Sequence, residues 1–336
     1  HRMLKITGNY FLGIFLYTLV IILLADFGRI LLKYVFHASW IHSRTTFTVA
    51  GAICALLILL LSACGIFHAK YIKTTSYDVI INKTIPERTS MKVVLLADTH
   101  FGYNAGVLHA RELVRKINKQ KPDLVCIAGD IFDNEYDAVR DPEKLEKTLR
   151  GIKSTYGVYA CWGNHDLNEE ILAGFTFKHK DGDLSDIKDP RMKKFLEDSN
   201  IHILEDESVL INDQFYVIGR KDVSLTEKIH ETRKAPAQLT EKLDRDKPII
   251  MIDHQPKELQ ELADAGVDLD LCGHTHNGQT FPGNFTIKLM WENPCGLLIK
   301  DNMTNITTSG AGVWGPAMRI GTDSEICSIN IQLKNS

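Results

Sequence analysis

The feature that most constrains this chain is a series of short apolar runs that each end in acidic, amide or imidazole side chains. Five runs end in this way, at Asp98-Thr-His100, Gly129-Asp130-Ile-Phe-Asp133, Gly163-Asn164-His165-Asp166, Asp253-His254 and Gly273-His274-Thr-His276. Continuous apolar runs bounded by polar residues are typical of strands buried in a sheet. Stretches of helical periodicity lie between several of them, so the pattern predicts a layered α/β fold.

The predicted strands and helices place the five polar clusters at equivalent points of the fold. The strands are predicted at 91–97, 123–128, 157–161, 214–219, 248–252 and 267–272, and the helices at 107–119 and 141–153. In an open α/β sheet, ligands bind at the carboxyl ends of the strands. We therefore expect the clusters that follow these strands to converge on one edge.

The chemistry of the converging side chains indicates metal ions. Burying so many carboxylates and imidazoles together would be costly without a cation. Carboxylate, imidazole and amide ligands without a thiolate suit Mn, Fe, Zn or Mg better than copper or an iron–sulfur cluster. The candidate ligands outnumber the needs of one ion, so we predict two ions about 3.5–4 Å apart, an arrangement that cleaves phosphoesters.

The N-terminal part of the chain carries two long runs without a charged residue. The first covers the 20 residues Ile6–Ala25 and the second the 23 residues Thr45–Phe67. A membrane-spanning helix needs about 20 apolar residues, and both runs are apolar on every face, unlike a surface helix. The alternatives are a cleaved signal peptide, which accounts for at most the first run, and a buried hairpin of a soluble protein. We predict two membrane-spanning helices.

The domain organisation follows from these runs. We predict a membrane anchor at 1–70, a linker at 71–90 and a catalytic domain at 91–336, with the native chain expected to begin at Met3 after two added residues. Two spans place the N-terminus and the large domain on the same side of a cell membrane. Basic residues are balanced between the loop and the flanks and leave the side open. The cysteines lie in apolar runs rather than in a disulfide pattern, which favours the cytoplasm.

The five clusters, in this order, resemble the sequence blocks of the calcineurin-like metallophosphoesterases, over about residues 91–335. The glycine-rich tail from Ser309 to Arg319, followed by Glu325, is similar to that of a membrane-associated branch with YkuE-like and YaeI-like phosphodiesterases. The resemblance implies a four-layer α/β/β/α sandwich behind the transmembrane hairpin. Some members of that branch hydrolyse UDP-diacylglucosamine in lipid A synthesis, and others are extracytoplasmic phosphodiesterases.

The same resemblance implies a role for each site residue. One metal ion would be held by Asp98, His100 and His276, the other by Asn164, His254 and His274, and Asp130 would bridge the two ions, for which manganese is preferred. His165 would face the scissile phosphate and Asp166 would orient its ring. Asp133 would lie outside the ligands. Backbone capping is the alternative role for both Asp133 and Asp166.

The membrane anchor favours an amphiphilic phosphoester, because a tether raises the local concentration of a lipid substrate. We therefore predict a phosphodiesterase or pyrophosphatase for a lipid-linked substrate that uses a metal-bridging hydroxide. Phe175 and Phe177, in the polar segment 174–200, are predicted to contact acyl chains, and Arg220 to meet the negative charge of the substrate. A solvated loop and a solvated turn are the respective alternatives.

Other functions are compatible with the same residues. The second candidate is a phosphomonoesterase for soluble nucleotides or phosphoproteins. A third candidate, which is not an enzyme, is a metal-binding membrane scaffold without turnover. A scaffold has no need of His165, which is not a ligand. The predicted partner is the lipid bilayer. Nucleic acid is not expected, because the net charge is −3 and no basic stripe with interleaved aromatic residues is present.

Overall fold

Two β-sheets lie face to face in this protein, and helices cover their outer faces. The computed structural model describes residues 2–172, 175–177 and 188–334. Apolar side chains of both sheets form one shared core, and two further clusters join each sheet to its outer helices. The chain therefore forms the four layers α/β/β/α, as predicted.

The first sheet has six strands. In spatial order they are β1 (Ile72–Ile81), β14 (Ser324–Leu333), β2 (Ser90–Leu96), β3 (Leu124–Ala128), β4 (Val158–Cys161) and β7 (His202–Ile203). Strands β2, β3, β4 and β7 are parallel. Strands β1 and β14 pair with each other in parallel, and β14 pairs with β2 in the antiparallel direction, which joins them to the four parallel strands.

The second sheet also has six strands. In spatial order they are β12 (Gly296–Lys300), β13 (Met303–Thr307), β11 (Leu269–Cys272), β10 (Ile249–Ile252), β9 (Phe215–Gly219) and β8 (Glu207–Ile211). The four central strands are parallel, and the two edge strands are antiparallel to their neighbours. A short separate hairpin joins β5 (Glu170–Leu172) to β6 (Phe175–Phe177).

Alternation of side chains along the strands explains the layers. In β2, Val93 and Leu95 point into the core between the sheets, whereas Val94 and Leu96 face the outer helices. Side chains of a strand alternate between the two faces, and both faces of this strand are covered. A strand buried on both sides reads as a continuous apolar run, which is why the sequence pattern was so clear.

Helices occupy the remaining layers. The helices are α1 (Arg2–Tyr34), α2 (Arg44–His68), α3 (Val107–Gln120), α4 (Pro142–Leu149), α5 (Pro190–Asp198), α6 (Val223–Lys228), α7 (Pro236–Thr240), α8 (Leu259–Asp264) and α9 (Gly283–Met290). Helices α3, α4 and α5 pack on the first sheet through residues such as Leu113, Leu145 and Phe195. Helices α7 and α8 cover the second sheet.

The first two helices form a hairpin that is apolar over most of its surface. Both helices are long and apolar enough to cross a membrane, and only 17% and 11% of their most apolar windows are buried. A helix in the core of a soluble protein would be mostly buried, so the hairpin indicates association with a membrane. The side of α1 that faces the domain carries a buried residue at every fourth position, at Lys5, Asn9, Gly13, Tyr17 and Ile21.

The segment predicted as a linker is largely part of the first sheet. Residues 72–81 form β1, which pairs with β14 over its whole length, from Ile72 opposite Ser324 to Ile81 opposite Leu333. The expectation of a linker at 71–90 was therefore wrong for β1. Its polar and apolar residues alternate because one face of this edge strand is exposed, and that alternation hid it from a search for continuous apolar runs.

The end of the segment predicted as a surface insertion also belongs to the core. Helix α5 begins at Pro190, where the Asp189 side chain accepts the N–H of Arg191 at 2.9 Å, and it buries Met192 and Phe195 against the first sheet. An N-cap aspartate and a proline in the first turn are a common start of a helix. Residues 178–187, in the middle of the predicted insertion, lie outside the described part of the chain.

Candidate active site

The candidate ligands lie directly after the carboxyl ends of five parallel strands. Strands β2, β3 and β4 of one sheet and β10 and β11 of the other are followed by the Asp98, Asp130, Asn164, His254 and His274 clusters. The ends of both sheets meet at one edge of the sandwich. The side chains therefore converge, although they come from segments far apart in sequence.

One group of donor atoms is formed by Asp98, His100 and His276. Their ligand atoms lie within 4.8 Å of one another. The Nε2 atoms of His100 and His276 face each other at 3.1 Å, and Nε2 of His276 lies 3.9 Å from an Asp98 carboxylate oxygen. These are the three residues that the resemblance assigned to the first metal ion.

A second group is formed by Asp130, His254 and His274, with Asn164 beside it. Nε2 of His254 lies 3.2 Å from Asp130 Oδ2, 3.2 Å from Nδ1 of His274 and 3.1 Å from the amide oxygen of Asn164. Each member of this group is a donor that manganese, iron, zinc or magnesium accepts.

Asp130 lies between the two groups. Its Oδ2 atom is 3.2 Å from Nε2 of His254 and 3.9 Å from Nε2 of His100. Its other oxygen, Oδ1, accepts the backbone N–H of His165 at 2.7 Å, which fixes the carboxylate. The position suits a carboxylate that bridges two cations.

The backbone at the site is strained. The non-glycine residues Asp98, His100, Asp130, His274 and His276 all have φ between 44° and 73°. Such left-handed conformations cost about 1–3 kcal/mol each and cluster at functional sites. Glycine makes room nearby, since a Cβ on Gly163 would lie 2.2 Å from Asp130 Oδ1.

Burial and mutual charge set the protonation of the group. Burial lowers the pKa of His274 to about 3 and holds that of His276 well below its usual range. Burial acts to raise the pKa of Asp130, but the neighbouring imidazoles, His254 above all, hold it well below its ordinary value. Burial acts to lower the pKa of His254, but the Asp130 carboxylate beside it holds that pKa well above its ordinary value. Metal binds neutral imidazoles and ionised carboxylates, so its binding here would release the proton of His254.

These residues fit a pair of divalent cations. Asp98, Asp130, His100 and His254 are all at least 99% buried, and burial, with the charge of Asp130, raises the pKa of Asp98 to about 6 despite the neighbouring imidazoles. Facing imidazole nitrogens and buried carboxylates without enough neighbouring positive charge are costly unless a cation lies among them. Asp98, His100 and His276 would hold one ion, His254, His274 and Asn164 the other, with Asp130 between them.

The ring of His165 is held by an asparagine. Its Nδ1 atom lies 2.6 Å from the side-chain oxygen of Asn134, and its ring packs edge-on against His100 and near Trp314. Burial lowers the pKa of His165 to about 4. A neutral ring that donates Nδ1–H to Asn134 presents Nε2 to its other side.

The predicted contact between Asp166 and His165 was wrong. The two oxygens of Asp166 accept the backbone N–H groups of Phe132 at 2.8 Å and Gly163 at 2.7 Å. Asp166 therefore joins the loops after β3 and β4, which is the capping role that was the alternative. Its location in the loop that carries Asn164 and His165 explains why a carboxylate there could be mistaken for a partner of the imidazole.

Two further residues lie beside the ligands of the first group. Asp133 Oδ1 lies 3.4 Å from Nδ1 of His100, on the opposite side of the ring from Nε2, and neither atom has a hydrogen-bond partner in the described chain. The ligand atoms of His100, Asp133 and His165 also lie within 4.8 Å of one another. Arg319 is fully buried, and its guanidinium lies 3.1 Å from Nδ1 of His276 and donates to the carbonyl oxygen of Ser309 at 2.6 Å. Arg319 therefore fixes the ring of His276.

A groove of about 470 Å³ leads to the donor cluster. Its floor is polar and is formed by Asp130, Asn164, His165, His274 and His276, whereas one wall is largely apolar and is formed by Ile287, Met290, Trp291, Trp314 and Pro316. Trp291 packs on the ring of His274, with the ring centres 5.1 Å apart. The groove therefore offers an apolar surface beside the polar floor.

Of the predicted substrate contacts, only Arg220 has a described side chain, and it is buried. Arg220 is 1% exposed and pairs with Asp253 at 2.9 Å and with Glu258, so the prediction that it meets the substrate was wrong. It holds the residue before His254 in place. The backbone of Phe175 and Phe177 forms β6, but their side chains lie outside the described part of the chain.

Sequence reasoning missed Asn134, Arg319 and the two tryptophans of the groove. Asn134 directly follows Asp133 in the second cluster, and Arg319 stands in the glycine-rich tail, so both were adjacent to recognised motifs. Their contacts join segments 31 and 43 residues apart. Proximity to a motif was the signal that could have found them.

The fold and the donor cluster define an α/β sandwich protein with a candidate metal centre of carboxylates, imidazoles and an amide. The model of the calcineurin-like phosphoesterase family matches residues 91–278, which is more than half of the chain. The protein belongs to this family. The match begins at β2 and ends just past the His274 cluster, so it contains all the candidate ligands.

The chain is also similar to named relatives. An uncharacterized metallophosphoesterase of Campylobacter jejuni is 31% identical over 74% of this chain and 60% of its own length. A Bos taurus transmembrane protein with metallophosphoesterase domain is 27% identical over 84% of this chain and 62% of its own. The UDP-2,3-diacylglucosamine pyrophosphatase LpxG of Chlamydia trachomatis is 23% identical over 64% and 75% respectively. This chain thus spans about 60% of the length of the first two relatives.

Proposed function

We propose that the protein is a dinuclear metal-dependent phosphoester hydrolase that acts at a membrane on a lipid-linked phosphodiester or pyrophosphate. The observation that carries the proposal is the convergence of two donor groups around Asp130 on the floor of a groove with an apolar wall. Membership of the calcineurin-like phosphoesterase family supports the reaction class.

Bound divalent ions would supply a hydroxide at neutral pH and neutralise charge on the phosphoryl oxygens. The residues of the chain hold and orient the reacting groups. His165 is held by Asn134 so that Nε2 can donate to a phosphoryl oxygen or to the leaving oxygen once the ring is protonated. The negative charge of a bound phosphoester raises the pKa of the ring from its low resting value. General acid catalysis of this kind accelerates a reaction by about 10²–10⁴-fold.

The groove supports an amphiphilic substrate. A phosphoester on the floor beside Asn164 and His165 leaves an attached acyl chain next to Met290 and Trp291. Among the relatives, the LpxG protein is named for a diacylated glucosamine nucleotide, a molecule with both a pyrophosphate and acyl chains. The proposed substrate has the same two parts.

We place the hairpin across a cell membrane as a multi-pass anchor, with the N-terminus and the catalytic domain on the cytoplasmic side. The first turns of α1 pack on the domain, where Asn9 donates to Asn104 at 3.3 Å, and α2 leads within four residues into β1. Among the described residues, all seven cysteines are unpaired, which favours a reducing compartment.

The test is hydrolysis by the full chain in detergent micelles with added Mn²⁺. We expect bis-p-nitrophenyl phosphate to be cleaved faster than p-nitrophenyl phosphate, and a diacylated nucleotide-sugar pyrophosphate faster than its deacylated form. A preference for the monoester would favour a soluble phosphomonoester substrate instead. A protein that binds the metal but turns over none of these compounds would be the scaffold.

A further inference from the structure

Helix α9 and Phe281, two residues before it, form an apolar patch that the described part of the chain leaves exposed. Leu289 is 89% exposed, Met290 74%, Phe285 59% and Phe281 43%, and α9 has no buried residue. Lys288 is the only charged side chain from Phe281 to Trp291. We call Phe281 and α9 together the α9 surface. Large apolar patches of this kind mark contacts with a protein or a membrane.

The α9 surface is attached to the helical hairpin. Tyr17, in the middle of the uncharged run of α1, donates its hydroxyl hydrogen to the carbonyl oxygen of Phe281 at 2.8 Å. The N–H of Phe281 in turn donates to the carbonyl oxygen of Ile320, and Ile320 packs on Gly65 of α2. The patch therefore lies directly beside both helices of the hairpin.

The part of the hairpin that extends beyond the domain is too short to cross a bilayer. In the described chain, the hydrogen bond of Tyr17 to Phe281 is the contact of α1 with the domain that lies nearest the end of the helix, and Thr18 to Tyr34 add about 26 Å of helix. The hydrocarbon core of a bilayer is about 30 Å thick. A spanning hairpin therefore places the domain edge at Tyr17 and Phe281 within about the outer 4 Å of this core.

The charges on α1 strengthen this conclusion. Asp26, Arg29 and Lys33 all lie in the free part of the helix, whereas most of the uncharged run from Ile6 to Ala25 lies alongside the domain. Charged residues are costly at the centre of a bilayer. The hydrocarbon core is therefore displaced towards the domain, to the level of Tyr17 and Phe281.

We propose that the α9 surface enters the interfacial layer of the bilayer, so that the groove opens at the level of the lipid headgroups and upper acyl chains. This inference rests on the proposed insertion of the hairpin. Ile287 and Met290 of α9 also line the groove above the donor cluster. A lipid substrate would thus pass from the bilayer along α9 to the floor of the groove without crossing water.

The experiment measures the depth of single residues in the intact protein. In a chain with Cys54, Cys64 and Cys295 replaced by alanine, single cysteines are introduced by Leu289→Cys, Phe285→Cys, Leu57→Cys and Ile80→Cys and labelled with a nitrobenzoxadiazole fluorophore. The four other cysteines are buried. The proteins are placed in phosphatidylcholine–phosphatidylglycerol nanodiscs that contain spin-labelled lipid. Leu57 lies in α2, and Ile80, 68% exposed at the far end of β1, is the matched control.

We expect spin-labelled lipid to quench the labels at 289 and 285 several-fold more than the label at 80, and aqueous iodide to show the opposite order. Equal lipid quenching at 289, 285 and 80, with quenching at 57, would overturn the inference while the hairpin stays inserted. Labels at 289 and 285 that neither quencher reaches would also overturn it, because a protein partner or a second copy would then cover the patch. A label at 57 without lipid quenching would remove the proposed membrane placement and the inference with it.

Discussion

Replacement of Asn134 by alanine tests whether the orientation of His165 matters for turnover. The side-chain oxygen of Asn134 lies 2.6 Å from Nδ1 of His165, and Asn134 is fully buried. Alanine removes this acceptor but leaves the backbone contact in which the N–H of Asn134 donates to the carbonyl oxygen of His165. The ring then loses the bond that determines its tautomer and the direction of Nε2.

The size of the effect follows from the hydrogen bond. A bond between a neutral acceptor and a ring that becomes charged during the reaction contributes about 1.5–3 kcal/mol. Since each 1.36 kcal/mol changes a rate tenfold, Asn134→Ala should lower kcat by about 10–100-fold. The loss of kcat cannot exceed the loss that His165→Ala causes. That loss should be about 10²–10⁴-fold, which is the usual contribution of general acid catalysis to a rate.

The assay is a double-mutant cycle with bis-p-nitrophenyl phosphate and Mn²⁺. Asn134→Ala, His165→Ala and the double variant are compared in kcat, KM, metal content and Tm. If Asn134 acts through His165, the double variant should be no slower than His165→Ala alone, because a residue that only positions a missing ring has no effect. Metal content should stay at two equivalents in all three, since neither residue belongs to the two donor groups that meet at Asp130.

Additive losses in the double variant would refute this reasoning, because Asn134 would then act on the reaction independently of His165. A fall in metal content on Asn134→Ala would refute it as well and would point to a role in holding the loop after β3. Asn134→Asp is the matched variant that keeps an acceptor oxygen. It should recover most of the lost kcat, which a purely steric role of the side chain would not predict.

Three further changes test the site. Asp130→Asn should reduce bound metal below two equivalents and abolish turnover, because a neutral amide bridges two cations poorly; mass spectrometry that finds two equivalents in an active variant would contradict this. His165→Ala should keep both metals and lose less activity with good leaving groups than with poor ones, and an equal loss would indicate a binding role. Arg220→Met removes the 2.9 Å partner of the buried Asp253 and leaves it only Arg233 at 3.5 Å, so the free energy of unfolding should fall by about 1.5–3 kcal/mol while KM is unchanged. A higher KM at unchanged stability would restore Arg220 as a substrate contact.

Much of the site could be predicted from the sequence because its chemistry is local. Each candidate ligand stands within a few residues of a buried strand, as Asp98 follows β2 and His274 follows β11. Strands buried on both faces are continuous apolar runs, so their ends can be recognised without knowledge of the fold. Parallel strands bring such ends to one edge. The sequence alone therefore determined the α/β class and the residues that converge.

Tertiary structure decided which side chains contact one another around the ligands. The partner of His165 is Asn134 rather than its neighbour Asp166, and Arg220 is buried in an ion pair rather than exposed in the groove. Within the described part of the chain, the apolar wall of the groove comes from α9, Trp291 and the glycine-rich tail, which are separated in sequence from the ligands on the floor. A side chain reaches only a few ångströms, so its partner depends on how separate loops are placed by the packing of the two sheets and the hairpin. That placement depends on contacts across the whole chain, and no local sequence pattern contains it.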